Sequence, residues 1–231
     1  MTKKNLPPKA AAILAELDKK FKTELNPVQI RDRELQLLQV TDLESLLKGR
    51  DPFNDVENFP FWVKIWESAL ILANFMTSQP PDPEGRVLEL GAGLGLPGLA
   101  AAAAGHNVVL SDFEEHILDF QRVSAAASGV SQRVEHLMLD WLNPPELHQF
   151  STIIGAEILF REDFFAPLLE IMKNYLTPSG TIFLAHDIKR QSLAPFLTLA
   201  EKDFTVAVSR RHMQSADSEH TIILTRLQRR G

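Results

Sequence analysis

The sequence predicts an α/β fold whose mostly parallel sheet ends in an antiparallel hairpin. Short apolar runs alternate with helix-like segments from residue 68 onward, and a glycine-rich turn follows the first apolar run. Strands and helices that alternate in this way are typical of right-handed crossovers in a sheet covered by helices on both faces. Strands are predicted at 86–90, 107–111, 133–138, 151–156 and 180–185, and helices at 68–76, 96–104, 114–128, 161–176 and 190–202, with a further short helix starting at Asn143-Pro144.

The last part of the chain breaks this alternation. Two β-rich runs, FTVAVSRRHM and HTIILTRL, are joined by the polar turn QSADSE without a helix between them. Two strands joined by so short a turn are predicted to pair as a hairpin. The predicted sheet is therefore parallel over most of its width and antiparallel at the end of the chain.

The start of the chain has a different pattern and is predicted to form a small N-terminal α+β extension. Apolar residues at helical spacing predict a helix over 8–25, and alternating ones over 28–37 predict two strands around a polar turn. A short helix is expected at 41–47. The segment 48–60 is rich in turn formers and is the predicted boundary. The predicted units are therefore the extension, 1–59, and the main domain, 60–231.

Composition and charge narrow the class of protein. Of the 231 residues, 45% are hydrophobic and 23% charged, the balance of a soluble globular protein. The absence of cysteine excludes disulfides and thiolate metal sites, and the histidines show no metal-ligand spacing, so we expect no metal.

The N-terminus lacks an apolar signal segment, and no apolar run reaches the length of a membrane span. The net charge of −6 disfavours nucleic acid as a partner, and we expect a cytoplasmic monomer.

The glycine-rich turn is the strongest functional signal. It reads VLELGAGLGLPG over 87–98, with Gly91, Gly93 and Gly95 directly after a predicted strand and before a predicted helix. Glycine lets the backbone approach a ligand closely at low cost, and the first turn of a doubly wound sheet borders the ligand crevice. Asp112 ends the next predicted strand, where an acid can accept hydrogen bonds from ribose hydroxyls. The turn predicts a nucleotide-like cofactor, with purely structural glycines as the alternative.

Three features bear on which cofactor this turn holds. A P-loop is excluded because the Gly-Lys-Ser/Thr sequence is absent. A dinucleotide stays open, but Glu89, two residues before the first glycine, would repel a pyrophosphate and suits a cationic or zwitterionic ligand. The terminal hairpin also departs from the parallel sheet of dinucleotide-binding folds. Glu89 itself could meet an amino group of the ligand or could only brace the turn.

The run VLELGAGLGLPG, followed by VVLSDF, resembles the first motifs of the class I, seven-β-strand methyltransferases, which use S-adenosylmethionine. The resemblance covers roughly residues 60–231. It implies a Rossmann-like, doubly wound seven-stranded sheet of order 3-2-1-4-5-7-6 with the last strand antiparallel. It also implies S-adenosylmethionine as the cofactor, with binding residues that include Gly91, Ala92, Gly93, Gly95, Asp112 and Phe113.

Three further segments resemble one branch of that family, the protein-lysine methyltransferases that include the electron-transfer-flavoprotein, elongation-factor and chaperone modifiers. FWVKIWESALILANFM resembles the tryptophan-containing segment of that branch and implies that Trp66 lies beside the cofactor. LMLDWLN implies that Asp140 and Trp141 border the adenine; in the alternative, Asp140 only caps the turn and Trp141 packs in the core. IIGAEILF implies that Ala156 lines the cofactor and that an acid and an aromatic residue after it face the substrate.

This acid and this aromatic residue are Glu157 and Phe160, where the branch usually has Asp and Tyr. An amine must be neutral to accept a methyl group, yet free lysine has a pKa of about 10.4. We expect the Glu157 carboxylate to hold the incoming ammonium while a proton leaves to water, and Phe160 to form a wall of the acceptor pocket. In the alternative, Glu157 caps the helix at 161–176. His186 and Asp187 could contact the substrate or belong to a plain loop.

These observations predict a methyltransferase that acts on a protein lysine. Similar domains serve metabolites, so a small-molecule amine is the alternative acceptor; a sealed pocket would favour it, whereas an open rim at Glu157 would favour a protein. A non-catalytic binding module is opposed by the intact glycine turn together with Asp112. A nucleic-acid methyltransferase is opposed by the acidic charge and by AEILF, which stands where an Asn/Asp-Pro-Pro-Tyr motif would follow the fourth strand.

Overall fold

The computed structural model describes residues 3–42, 46, 60–214 and 219–230. Its first elements are the helix α1 (Pro8–Leu17) and an antiparallel hairpin of β1 (Thr23–Ile30) and β2 (Arg33–Val40). The later strands are β3 (Arg86–Glu89), β4 (Asn107–Asp112), β5 (Val134–Met138), β6 (Phe150–Ala156), β7 (Leu176–Asp187), β8 (Phe204–Gln214) and β9 (Glu219–Arg229). The later helices are α2 (Glu67–Met76), α3 (Leu96–Ala103), α4 (Glu115–Ala127), α5 (Phe165–Tyr175) and α6 (Leu193–Ala200).

Within these residues, the strands from β3 onward form one seven-stranded sheet in the order β5-β4-β3-β6-β7-β9-β8. Numbered within the sheet, this is the order 3-2-1-4-5-7-6. The strands β3 to β7 pair in parallel, and β9 runs antiparallel to both of its neighbours. The predicted fold class, strand order and closing hairpin are confirmed. The strand order reverses between β3 and β6, so the ligand crevice is expected at the carboxyl ends of these two strands.

Helices cover both faces of the sheet. On one face α2, α3 and α4 bury a shared apolar cluster, and on the other face α5 and α6 bury a second one. Representative residues are Leu72, Leu99 and Ala125 in the first cluster, and Leu168 and Phe196 in the second. The alanine-rich α3 packs very closely, because a Cβ added at Gly98 would lie 2.3 Å from Leu110 Cδ2 of β4. No helix in the described part of the chain is long and apolar enough to span a membrane.

The N-terminal hairpin packs against α4. The outer edge of β2 donates two backbone hydrogen bonds of 2.9 Å, from Leu38 N to Ser124 Oγ and from Gln36 N to Ser128 Oγ. Such side-chain acceptors satisfy strand N–H groups that would otherwise be buried without a partner. Residues 30, 35 and 37 of the hairpin are buried in the same cluster as α3. The hairpin therefore shares a hydrophobic core with the main sheet.

One predicted helix is shorter than expected and another is absent from the described residues. The first, predicted over 8–25, ends at Leu17, because the residues from Thr23 onward pair with β2 in an eight-residue ladder. The short helix expected from Asn143-Pro144 is absent from the described residues between β5 and β6, where the chain forms a turn and an extended stretch. Two consecutive prolines lack the N–H groups that a helix needs. The predicted helix at 41–47, except residues 41, 42 and 46, and the predicted boundary at 48–60, except residue 60, lie outside the described residues.

Candidate active site

The turn after β3 is shaped by three glycines in the left-handed region. Gly91, Gly93 and Gly95 have φ values of 56°, 52° and 75°, which residues with a side chain rarely adopt. Gly91 also has little room, because an added Cβ would lie 3.1 Å from Trp141 Cζ2 and 3.2 Å from Ile158 Cγ2. The turn is therefore a cradle of bare backbone at the carboxyl end of β3, where the sequence predicted it.

Glu89 stabilises this cradle through a hydrogen bond to the start of α3. The residue is 1% exposed, and its Oε2 accepts a hydrogen bond of 2.7 Å from Gly98 N in the first turn of α3. Burial raises the pKa of Glu89 to about 8, and the nearby charge of Asp112 adds to the rise. Of the two roles considered for Glu89, bracing is the contact that the structure contains. Its contact with an amino group of a ligand stays a prediction.

Asp112 ends β4 beside the cradle. Its Oδ2 accepts a hydrogen bond of 2.8 Å from Gly93 N, and its Oδ1 accepts one of 2.8 Å from Phe113 N. Gln121 of α4 holds the same glycine from the other side, because its Nε2 donates to the Gly93 carbonyl at 2.8 Å. Burial raises the pKa of Asp112 to about 6. Each carboxylate oxygen keeps a lone pair, so Asp112 can still accept hydrogen bonds from two neighbouring hydroxyls.

The donors at the start of α3 do not suit a pyrophosphate. Its second residue is Pro97, which has no N–H, and the N–H of its third residue, Gly98, is already bonded to Glu89. Dinucleotide-binding folds use these N–H groups for the phosphates. S-adenosylmethionine fits better, since it has a ribose for Asp112 and no phosphate. In the described residues, no group of three His, Asp or Glu side chains is arranged to hold a metal ion.

Asp140 and Trp141 follow β5 at the same edge of the sheet. Asp140 accepts hydrogen bonds from Asn143 Nδ2, at 3.0 Å, and Leu142 N, at 2.9 Å, and these bonds lower the pKa of its carboxyl group. The half-buried Trp141 ring packs edge-on against Phe164, with centroids 5.4 Å apart. Asp140 therefore caps a turn and Trp141 packs on the core, as in the alternative considered above. The contact of both residues with adenine stays a prediction.

Trp66 and Ala156 also lie at the carboxyl edge. Trp66 directly precedes α2, and its Nε1 donates to the Phe61 carbonyl at 3.1 Å. Lys64 Nζ lies 4.6 Å from the centroid of the Trp66 ring. Ala156 ends β6 next to the crevice and pairs with Ala185 of β7. The structure brings both predicted residues to this edge, and their contacts with a cofactor stay predictions.

Glu157, directly after β6, adopts an unusual backbone conformation with a φ of 56°. Its Oε1 accepts a hydrogen bond of 2.7 Å from Asp187 N. Its Oε2 accepts two from Arg190, at 2.5 Å from Nη2 and 3.0 Å from Nε. The helix-capping alternative is wrong, because α5 starts at Phe165 without a side-chain cap. No local sequence pattern indicates Arg190 as the partner of Glu157.

Phe160 lies on the outer side of the same turn. The residue is 48% exposed, and its ring lies 5.5 Å from that of Phe164 and 6.2 Å from that of Trp141, measured between centroids. Exposed large apolar side chains concentrate along this edge of the described structure. They are Phe61, Phe113, Met138, Leu142, Phe160 and Ile188, which we call the apolar rim; two others, Leu199 and Val208, lie on α6 and β8 instead.

Of the two residues singled out at the end of β7, only one reaches the rim. His186 is fully buried, and burial together with the charge of Arg190 lowers the pKa of its imidazole to about 3, so the ring is neutral and cannot touch a substrate. Asp187 does reach the rim, where its Oδ2 lies 3.8 Å from His220 Nδ1. The Nε2 of His220 in turn lies 4.0 Å from Glu67 Oε1. No sequence spacing indicated His220, because only the order of the strands brings β9 next to β7.

Known proteins resemble this chain in sequence and in fold. Residues 54–203 match a protein family described as lysine methyltransferase. Over 149 residues the chain is 30% identical to the protein N-lysine methyltransferase METTL21A of Danio rerio, covering 62% of this chain and 68% of that protein. Over 156 residues it is 30% identical to the EEF1A lysine methyltransferase 3 of Mus musculus, covering 64% and 66%. The N-methyltransferase NodS of Bradyrhizobium japonicum, solved in complex with S-adenosyl-L-homocysteine, has a similar fold, with a TM-score of 0.57 at 16% identity over 82% of this chain and 97% of that one.

Proposed function

Because the chain belongs to the lysine methyltransferase family, we propose that it transfers the methyl group of S-adenosylmethionine to a lysine side-chain nitrogen of a protein substrate. The observation that supports a protein as the acceptor is the apolar rim around the crevice, with Phe160 48% exposed and Ile188 44% exposed. A metabolite is usually enclosed by its pocket, whereas exposed apolar patches mark surfaces that dock on other proteins.

The protein's contribution on the cofactor side is to bind and orient S-adenosylmethionine. When bound, S-adenosylmethionine supplies a methyl group on a positively charged sulfur, so the carbon is already activated for in-line displacement. Asp112 would hold the ribose, while the cradle of Gly91 and Gly93 brings backbone close to the remainder of the molecule. Glu89 and Gln121 keep the cradle in place through Gly98 N and the Gly93 carbonyl. Rigid positioning of two reactants is the main contribution that a protein makes to such a transfer.

The acceptor side has to receive a neutral amine. The lysine nitrogen uses its lone pair to form the new bond to carbon, so its extra proton must first leave, and we assign this proton to water. Phe160 forms an apolar wall that disfavours the charged ammonium by desolvation. Glu157 lies on the same turn, with its carboxylate already engaged by Arg190. The site therefore lowers the pKa of the amine by its surroundings.

We further propose that the protein acts as a cytoplasmic monomer without affinity for nucleic acid. The support for the last point is the net charge of −6, which disfavours binding to a phosphate backbone. Light scattering coupled to gel filtration tests the monomer, and cell fractionation tests the location. A fluorescent duplex should show no change in anisotropy at low salt; a salt-dependent change would contradict this part of the proposal.

The experiment that tests the proposed function is methyl transfer to a cell lysate. Purified protein is incubated with methyl-labelled S-adenosylmethionine, beside Asp112→Ala and the matched control Asp32→Ala, whose carboxylate lies on the exposed turn between β1 and β2. We expect label in a discrete protein band with the wild type and with Asp32→Ala, and none with Asp112→Ala. Label found only in the small-molecule fraction would favour a metabolite amine and overturn the proposal.

A further inference from the structure

The carboxylate of Glu157 already has a cation beside it in the protein alone. Arg190 donates two hydrogen bonds to its Oε2, and the amide of Asp187 donates to its Oε1. The Glu157 side chain is only 8% exposed, and that of Arg190 is 31% exposed. We propose that Arg190 is a positioning residue for the acceptor: it neutralises Glu157 and fixes the turn after β6, so that an incoming amine meets no free carboxylate. This inference rests on the proposed function and deepens it.

Two side-chain links fix this turn to the one that follows β7. The first is the ion pair of Glu157 with Arg190, and the second is a hydrogen bond from Ser192 Oγ to the Leu159 carbonyl. A residue with a side chain keeps a left-handed φ only where its surroundings enforce it, and such residues concentrate at functional sites. The two links supply that enforcement. They also fix Phe160, the next residue along the turn, at the rim.

The charge of the pair determines how the site treats an amine. A free carboxylate raises the pKa of a neighbouring ammonium, whereas a neighbouring cation lowers it. The guanidinium of Arg190 stays protonated over the whole working pH range. With Arg190 in place, Glu157 therefore does not trap the acceptor as an unreactive ammonium, and the amine loses its proton to water more readily.

The other titratable groups around this pair do not replace Arg190. His186 lies beneath it on β7, fully buried and with its pKa lowered to about 3. Asp187 on β7, His220 on β9 and Glu67 on α2 form their own group, in which His220 lies between the two acids. Among the described residues, the hydrogen-bonded cation partner of Glu157 is Arg190.

The first test compares four variants by steady-state kinetics against pH, with the methylated lysate protein as substrate. Arg190→Gln removes the cation, Arg190→Lys keeps the charge without the two-pronged geometry, Glu157→Gln with Arg190→Gln removes both charges, and Lys189→Gln is the matched control beside the pair. For Arg190→Gln we expect kcat at neutral pH to fall by about tenfold and the kcat–pH profile to move by about one pH unit to the alkaline side. The KM of the protein substrate stays unchanged or falls.

Rescue distinguishes this role from a merely structural one. The double variant has no charge to trap an ammonium, so it should regain most of the kcat and the original pH profile, although it lacks Arg190. Arg190→Lys should keep the pH profile at reduced kcat, and Lys189→Gln should match the wild type. A double variant as slow as Arg190→Gln, or a single variant with an unchanged profile, would overturn the proposal.

The second test does not depend on activity. Each protein is saturated with S-adenosylhomocysteine and titrated with n-butylammonium, followed by NMR. Arg190→Gln should bind this cation about tenfold more tightly than the wild type, and the double variant should bind it as weakly as the wild type. Equal affinities in all variants would overturn the inference. A wild type that labels no protein lysine but shows this pattern of affinities would overturn the proposed function and leave the pairing intact.

Discussion

The cofactor crevice and the apolar rim with the Glu157 turn beside it are built in different ways. In the crevice, short-range contacts tie the cradle to its neighbours: Glu89 bonds to Gly98, 9 residues on, and Gly93 bonds to Asp112, 19 residues on. At the rim, the contact between Glu157 and Arg190 spans 33 residues and joins two different crossovers. The first arrangement therefore leaves a compact sequence motif, whereas the second depends on which strands lie side by side. The crevice is recognisable in a sequence, and the rim has to be seen in the fold.

The largest expected effect is on the crevice, from Asp112→Ala. This change removes the acceptor for the ribose and leaves Gly93 N and Phe113 N without their partner. We expect the affinity for S-adenosylmethionine to fall by about 300-fold, or about 3 to 4 kcal/mol, because hydrogen bonds to a charged group contribute about 1.5–3 kcal/mol each. Isothermal titration calorimetry measures it, with Asp32→Ala as the control. An affinity within about threefold of the wild type would show that Asp112 does not hold the cofactor.

A second prediction concerns the pH dependence of stability through Glu89. Burial raises the pKa of this carboxyl from 4.5 to about 8, so the folded protein keeps a proton that the unfolded chain releases. Its contribution is therefore fully present below about pH 4.5 and is lost as the pH rises to about 8, since stability falls wherever the folded state binds more protons. Glu89→Gln still accepts a hydrogen bond from Gly98 N. Its free energy of unfolding should rise relative to that of the wild type by on the order of 3 kcal/mol as the pH increases from about 5 to about 9.

Urea unfolding at a series of pH values checks this prediction without any ligand. Glu16→Gln is the control, because the Glu16 side chain on α1 is 70% exposed. Parallel stability curves for the wild type and Glu89→Gln would show that Glu89 ionises normally in the folded protein.

The third prediction tests the close packing behind the cradle. In Gly98→Ala the new methyl group meets Leu110 Cδ2 at 2.3 Å and Glu89 Oε2 at 2.5 Å, so α3 has to move away from β4. Overpacking of this kind costs about 2 kcal/mol of unfolding free energy. Thermal unfolding measures it, and Gly129→Ala, where a Cβ meets nothing within 4 Å but the φ is 72°, separates the packing cost from backbone strain. A smaller loss for Gly98→Ala than for Gly129→Ala would contradict the packing account.

The smallest effect distinguishes the two regions most sharply. Phe160→Ala should raise the KM of the protein substrate by about fivefold, or about 1 kcal/mol of lost aromatic contact, and leave the affinity for S-adenosylmethionine unchanged. Phe113→Ala should do the reverse, because Phe113 directly follows Asp112 and its N donates to the carboxylate that we assign to the ribose. Steady-state kinetics and calorimetry on the two variants measure both quantities. Both changes acting on the same quantity would show that the crevice and the rim are one surface.

The same contrast explains what the sequence could predict. The resemblance to seven-β-strand methyltransferases implied the strand order, and the spacing of Gly91, Gly93 and Gly95 after a predicted strand placed the ligand-binding turn. The contact of Arg190 with Glu157 could not be predicted, because Arg190 lies in an ordinary polar segment. Only the pairing of β6 with β7 brings the two residues together. The overlong first helix had a similar cause: helical spacing continues to Leu25, but pairing with β2 takes that residue into β1. Local patterns are visible in a sequence, and long-range partners are not.

Methyl transfer from S-adenosylmethionine to a protein lysine is tested most directly by tandem mass spectrometry of the labelled lysate protein. We expect peptides that carry the added methyl groups on a lysine Nζ after incubation with the wild type, and the same peptides unmodified with Asp112→Ala. Methyl groups on a histidine or an arginine of that protein, or label confined to small molecules, would contradict it.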